Sequence, residues 1–289
     1  MRNLKAIRRR ITSVRNTQKI TRAMKMVAAA RLRRAQQRIL ELRPYALETY
    51  EVLSAVAARA GEDEEAHPLL VRRPPRRVLL VVLTSDRGLA GAFNANIQKA
   101  AWRFWKERQA EGSEVSFAVV GRKGRDFLRR RGARILREFT GVFENLTVER
   151  AGEIGRYIVD EYTAAGLDAA WVVYNEFKSA ISQKVVVEPL LPIRPMEVAP
   201  DRAGDFLYEP NKRALLDRLL PMYVDVEIYR ALLESVASEH GARMTAMDNA
   251  TNNAKELIAK LTLDYNRARQ AAITKELMEI IGGAEALKG

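Results

Sequence analysis

The sequence predicts an α/β protein: a central Rossmann-like domain flanked by a long antiparallel two-helix coiled coil, which the N- and C-terminal helices form with each other. Three observations predict it. A heptad pattern runs through the first part of the chain, a second runs through the last part, and strand-like runs alternate with helical runs between them.

The first pattern passes through Leu4, Ile7, Ile11, Val14, Gln18, Thr21, Lys25, Ala28 and Leu32 and continues to Ala60, alternating steps of three and four. That 3.5-residue period is the signature of a left-handed coiled coil. Pro44 falls inside it and is expected to kink or loosen one turn. The acidic stretch after Gly61 reads as a solvated stop, so the segment is bounded as residues 1–61.

The middle reads as an α/β domain over residues 75–192. Arg77 to Thr84 is an apolar run bounded by turn residues, and Val115 to Val120, Ala169 to Glu176 and Ser182 to Leu191 read the same way. Asn94 to Gln109, a basic stretch ending near Arg131, and Thr147 to Ala165 read as helices. Strand–helix alternation predicts a largely parallel sheet. Four prolines between Pro192 and Pro210 mark residues 193–210 as a linker.

The last segment, residues 211–289, carries the second seam. It is traced through Leu219, Met222, Val226 and Leu233 to Met247, Ala250, Ala254, Leu257, Leu261, Asp264, Ala268 and Ala271, with a second kink expected at Pro221. Both helices join the same domain, so they are expected to run side by side with facing residue numbers summing to roughly 267–272. That register sets Asn16–Lys19 opposite Asp248–Asn253, polar layer against polar layer. At 1.5 Å per residue the two helices reach roughly 85 and 110 Å, so the C-terminal tip overhangs by roughly 25 Å. It carries Ile273, Leu277, Met278, Ile280 and Ile281, and an unpartnered apolar tip marks a binding surface.

Composition narrows the function. The chain has no cysteine, which excludes disulfides, thiol nucleophiles and thiolate metal sites. Its two histidines, His67 and His240, lie far apart and suggest one linker residue and one on a helix face. No apolar run is long enough to span a bilayer, and no secretory h-region follows the basic start. The net charge is +13, and residues 1–43 hold 14 Lys and Arg against the single acid Glu41, so that one segment carries the whole excess and is expected to meet an acidic partner.

Two other functions are weaker. A basic helix with heptads suggests DNA binding, but in basic-zipper proteins the basic region precedes the zipper, whereas here the bases overlie the seam and few aromatics interleave with them. Gly121-Arg-Lys-Gly124 follows a strand as a phosphate-binding turn does, yet it has neither the Gly-x-Gly-x-x-Gly nor the Walker spacing and reads as a tight turn.

Three stretches resemble one family. Ile11-Thr-Ser-Val-Arg-Asn-Thr-Gln-Lys-Ile-Thr-Arg-Ala-Met-Lys-Met-Val-Ala-Ala-Ala30 resembles the N-terminal signature of F-type ATP synthase gamma subunits of bacterial type. Thr84-Ser-Asp-Arg-Gly-Leu-Ala-Gly-Ala-Phe-Asn94 is similar to that family's loop after the first strand, and Ile273 to Ala286 is similar to its C-terminal signature. Together they span the chain in the right order.

The resemblance implies a non-catalytic rotor shaft of a proton-translocating ATP synthase, coupling rotation of the membrane c-ring to the catalytic sites of an alpha/beta ring. It implies as partners three alpha and three beta subunits, the epsilon subunit and the c-ring, with no cofactor, no nucleic acid and no direct nucleotide binding. It implies a peripheral position on the cytoplasmic face of a bacterial plasma membrane. It assigns Lys19, Arg22, Met24, Lys25, Asp86 and Arg87 to contact with the beta lever loops. It seats Ile273, Glu276, Leu277, Ile280 and Ile281 as a bearing tip in the alpha/beta sleeve, and places Tyr208 in the foot near the c-ring and epsilon. Where many relatives carry Cys this chain has Ala90, and it lacks the cysteine-bearing insert of chloroplast-type relatives, so thiol switching is excluded.

Overall fold

The structure, a computed structural model, describes residues 4–58, 67–164, 166–195 and 211–286. Its elements are α1 (Leu4–Ala58), β1 (Arg77–Leu83), α2 (Phe93–Ala110), β2 (Glu114–Val120), α3 (Arg122–Arg129), β3 (Ile135–Phe139), α4 (Val148–Ala164), β4 (Ala169–Phe177), β5 (Gln183–Leu191) and α5 (Lys212–Ala286). The chain divides into two compact units, one holding Ala29–Arg243 and the other the helix segments up to Ala28 and from Met244. Pro44 and Pro221 both lie inside unbroken helices.

The larger unit is built on a five-stranded sheet in the order β3-β2-β1-β4-β5. All neighbours are parallel except β4 and β5, which pair antiparallel. The central strand β1 is flanked by β2 and β4, with Val78 aligned to Val115 on one side and to Ala169 on the other. Val78 to Leu83 are all buried, which explains why this run has no polar alternation: helices cover both faces of a parallel sheet.

Strand β3 escapes the sequence reading. Ile-Leu-Arg-Glu-Phe has two charged residues in five, pairs only with β2 through an irregular register, and no residue of it is fully buried. An edge strand needs only one paired side, so its sequence carries little signal.

On one face of the sheet α2 packs Phe93, Ile97, Ala101 and Phe104 onto Val78, Leu80, Val82, Phe117 and Val119. Helix α4 buries Ile154, Ile158 and Tyr162, and its Gly155 admits α5: a Cβ there would fall 2.0 Å from Asp225 Oδ1. Within this unit the stretch Leu232–Gly241 of α5 is buried at all but one position. It is held to the sheet side by the Ser238 hydroxyl, which donates to Asn175 O at 3.0 Å. Nearer the start of α5, helix α1 packs on it, with Tyr50 stacked on Tyr223 at 5.2 Å between ring centres, and Leu53 and Val56 of α1 are buried.

The smaller unit is a helix pair. Ile7 and Ile11 of α1 pack against Leu261 of α5, with Val14, Ile258, Tyr265 and Ala268 around them. Burying each such large side chain contributes about 1.5–3 kcal/mol, which is what holds two otherwise polar helices together.

Candidate functional site

In the smaller unit, α1 and α5 pair antiparallel: Lys25 meets Asp248 and Thr21 meets Thr251. The α1 seam falls as its heptads predict, with Ile7, Ile11, Thr21 and Ala28 buried. The α5 seam needs a correction. It runs through Met247, Thr251, Ala254, Ile258, Leu261, Tyr265 and Ala268, so Thr251, Ile258 and Tyr265 stand one residue later than the expected Ala250, Leu257 and Asp264. Steps of three-then-four and four-then-three share half their positions, and the alanines fit either.

The polar layer also moves. Thr251 faces Thr21 and Asp248 faces Lys25, rather than Asn16–Lys19. The layer is satisfied as a short chain. The Thr251 hydroxyl donates to Met247 O at 2.7 Å, and Thr21 and Thr251 hydroxyl oxygens lie 2.8 Å apart.

On that α1 segment Lys19 and Arg22 are exposed and Met24 and Lys25 half-buried. Lys25 Nζ sits 2.6 Å from Asp248 Oδ1, while Ile20, Met26 and Val27 stand in solvent beside the basic residues. The surface is therefore a basic band interleaved with exposed apolar side chains.

Beyond Ala268, α5 has no packed partner among the described residues. Ile273, Leu277, Met278, Ile280 and Ile281 are all about half exposed or more, up to 69% at Ile280. Glu276 is exposed beside them. Helix continues to Ala286, so roughly 27 Å of it carries uncovered apolar side chains. Tyr208 lies outside the described residues.

Asp86 and Arg87 belong to the larger unit, in the turn after β1. Arg87 is exposed, but the Asp86 side chain is only 3% accessible. Its two oxygens accept the backbone N–H groups of Arg122, at 3.1 Å, and Gly141, at 2.9 Å, and Arg122 Nε lies 3.4 Å away. Asp86 thus ties three loops together at the C-terminal ends of the strands, where α/β sheets place their functional loops. Gly121-Arg-Lys-Gly124 belongs to the same knot. Gly121 has φ +89, and a Cβ on it would lie 2.1 Å from Thr84 O, while the Gly124 N–H donates to the Thr84 hydroxyl at 2.8 Å. The glycines serve close backbone approach.

Two ionic clusters on α5, one half-buried and one buried, carry no sequence signal. Arg230 donates to Glu188 at 2.7 Å, to Glu227 at 2.7 Å, to Glu234 at 3.2 Å and to the Tyr174 hydroxyl at 3.0 Å. Further along, Glu239 pairs with Arg243, whose guanidinium also donates to Gly88 O at 2.7 Å. His240, read as a helix-face residue, is buried with its Nδ1 2.8 Å from Glu239 Oε2. Burial alone would push the Glu239 carboxyl up, but contacts from His240 and Arg243 outweigh it and hold its pKa below the ordinary value.

No described helix is long and apolar enough to cross a membrane. The family model described as ATP synthase matches residues 3–287. The chain is 56% identical to the ATP synthase gamma chain of Sorangium cellulosum and 53% identical to that of a Geobacter species, covering all of this chain and all of each relative. Among solved structures, it is similar to a chain of the central stalk and c-ring of the Tetrahymena thermophila mitochondrial ATP synthase, at 28% identity and a TM-score of 0.61 over 80% of this chain and 99% of that one. A rotor chain of the Euglena gracilis enzyme shares the fold, with a TM-score of 0.65 at 20% identity over 93% of this chain and 98% of that one. Matched along its whole length, the chain belongs to the ATP synthase gamma-chain family.

Proposed function

We propose that the chain is the central-stalk subunit of an F-type ATP synthase, turning with a membrane c-ring and carrying that rotation to catalytic sites on a surrounding alpha/beta ring. It makes and breaks no bonds itself. The observation that carries the reading is the end of α5, which runs past its helical partner with its isoleucines and leucine in solvent. A foreign apolar sleeve suits such a tip, because hydrophobic contact is non-directional and lets a shaft turn without breaking oriented bonds.

The basic band of Lys19 and Arg22 suits acidic loops on the beta subunits, engaged within about one Debye length, roughly 8–10 Å. Exposed ion pairs are weak enough to release. Lys25 reaches such a loop by exchanging Asp248, since that pair is partly solvated. Of the turn residues, Arg87 makes outward contact, and Asp86 holds the turn that presents it. Ile273, Glu276, Leu277, Ile280 and Ile281 form the bearing. The epsilon subunit, a foot at Tyr208 and a site on the cytoplasmic face of a bacterial plasma membrane complete the reading.

Co-expression with alpha and beta subunits tests it. The expected result is a co-purifying complex whose ATP hydrolysis requires this chain. Alpha and beta subunits that assemble and hydrolyse ATP identically without it overturn the reading.

A further inference from the structure

Open α/β sheets bind ligands outside the carboxyl ends of their strands, at the point where the strand order reverses. In the larger unit that point lies between β1 and β4. Helix α5 already fills it. Ser238 donates to Asn175 O at 3.0 Å, a Cβ on Gly241 would lie 3.2 Å from Ala180 O, and Arg243 donates to Gly88 O at 2.7 Å. No dinucleotide fits there. On the β2 side of β1 the strand ends stay open, and the turn Gly88–Gly91, α2 and α3 enclose a cleft of about 740 Å3, a size that suits a small organic molecule.

Lys123, Arg129 and Arg130 line this cleft against one carboxylate, that of Asp126. Pairs made with residues outside the lining leave the balance positive: Arg125 holds Asp126 at 2.8 Å, and Glu138 holds Arg129 at 2.6 Å. Lys123 and Arg130 have no carboxylate partner among the described residues, and both are exposed, so a ligand reaches them. Arg130 donates its Nε–H to Asp126 O at 3.0 Å, which leaves its terminal nitrogens to donate elsewhere. The two cations stand seven residues apart, two helical turns or roughly 10 Å, a span that two long side chains close over one anion. Lys123 crosses to the turn, with its Cε 3.8 Å from the place of a Cβ on Gly88. Opposite them Leu89 is 67% exposed and held at φ 65, a conformation that costs any residue but glycine free energy. Ala95 continues that wall.

We propose that this cleft binds a small organic phosphate, its phosphoryl dianion between Lys123 and Arg130 and its apolar body on Leu89 and Ala95. The guanidinium offers a planar fork of donors that matches two phosphoryl oxygens, and the ammonium adds a point charge. A carboxylate brings one charge to two cations. Inorganic phosphate brings the charge without a body for Leu89. Nothing in this depends on the rotor reading.

Calorimetric titration of the full chain with phenyl phosphate, benzoate and inorganic phosphate, at one low salt concentration, tests the site. Phenyl phosphate is expected to saturate a single site at least about tenfold tighter than benzoate. Inorganic phosphate is expected to compete for that site more weakly. Lys123→Gln and Arg130→Gln, both at exposed positions where folding is not at risk, are each expected to weaken phenyl phosphate by about tenfold or more. Arg103→Gln removes the same charge from the exposed side of α2, outside the cleft, and is expected to change the affinity by less than about twofold. Leu89→Gly, which suits the positive φ, is expected to weaken phenyl phosphate and leave inorganic phosphate unchanged. Absence of saturable phenyl phosphate binding overturns the proposal. So does benzoate or inorganic phosphate binding as tightly as the ester, or an equal loss in the Arg103→Gln and Lys123→Gln chains, which marks a diffuse basic surface.

Discussion

Thr21 and Thr251, 230 positions apart, lie with their hydroxyl oxygens 2.8 Å from each other across the antiparallel helix pair. Thr251 gives its proton to Met247 O, which leaves its oxygen to accept from Thr21. When Thr251 is removed, Thr21 falls back on Gln18 O at 3.1 Å. Thr21→Val and Thr251→Val are each expected to cost about 1 kcal/mol, and the double variant less than the sum by about 0.5 kcal/mol. Amide hydrogen exchange between Met247 and Leu261 reads this local stability directly, and strict additivity would show that the pair is not coupled.

Arg243→Ala removes the cation that neutralises buried Glu239 and serves Gly88 O. Leaving buried Glu239 with His240 as its one ionic partner is expected to cost up to about 3 kcal/mol, and Glu239→Gln in the same chain is expected to restore part of it. The pH sign follows from the lowered pKa of Glu239. Its contribution is fully present above the unfolded carboxylate range and is lost as pH falls through the folded value. The Arg243→Ala chain is therefore expected to lose less further stability on acidification than the parent. Unfolding midpoints measured between pH 7 and pH 3 check this.

Asp225 has the opposite sign. Its Oδ1 is buried without a hydrogen-bond partner against Gly155, and burial pushes its pKa up although Arg156 opposes. A group with a raised folded pKa stabilises at low pH and loses that contribution as pH rises through the folded value. Asp225→Asn is expected to raise stability at neutral pH by about 1 kcal/mol and flatten the profile above pH 4. A less stable Asn variant at pH 7 would mean that the carboxylate has a partner in solution.

These clusters mark the limit of what the residues alone reveal. The α1 seam is legible because Ile7, Ile11 and Leu32 are large and regularly spaced. The α5 seam slips because Ala250, Ala254, Ala268 and Ala271 carry little phase information, and Asp264 was as plausible by spacing as Tyr265. The apolar run of β1 announces a central strand, while β3, with two charged residues in five, does not. Arg230 and Glu239 look like a solvated helix face, since what meets them lies far away in sequence: Glu188 and Tyr174 at Arg230, and Gly88 at Arg243, the partner of Glu239. Asp86 was legible as a turn residue, but its inward aim depends on the backbone of Arg122 and Gly141.

The tip of α5 offers the sharpest separation of stability from function. Ile273 to Ile281 carries exposed apolar side chains with no packed partner among the described residues, so truncation after Ala272 removes no described core. The hydrophobic cluster of Ile7, Ile11 and Leu261 is left whole, as is the sheet. Unfolding of the α/β domain is therefore expected to shift by less than about 0.5 kcal/mol, as for a surface change. Assembly with alpha and beta subunits is expected to weaken, because each large side chain withdrawn from a sleeve forgoes about 1.5–3 kcal/mol. Ile280→Glu, which keeps the helix length, is expected to act in the same direction. Limited proteolysis of the truncated chain distinguishes the outcomes. Faster cleavage within β1 to β5 would place the tip in the domain's own folding, and intact domain fragments with impaired assembly would place it in a partner.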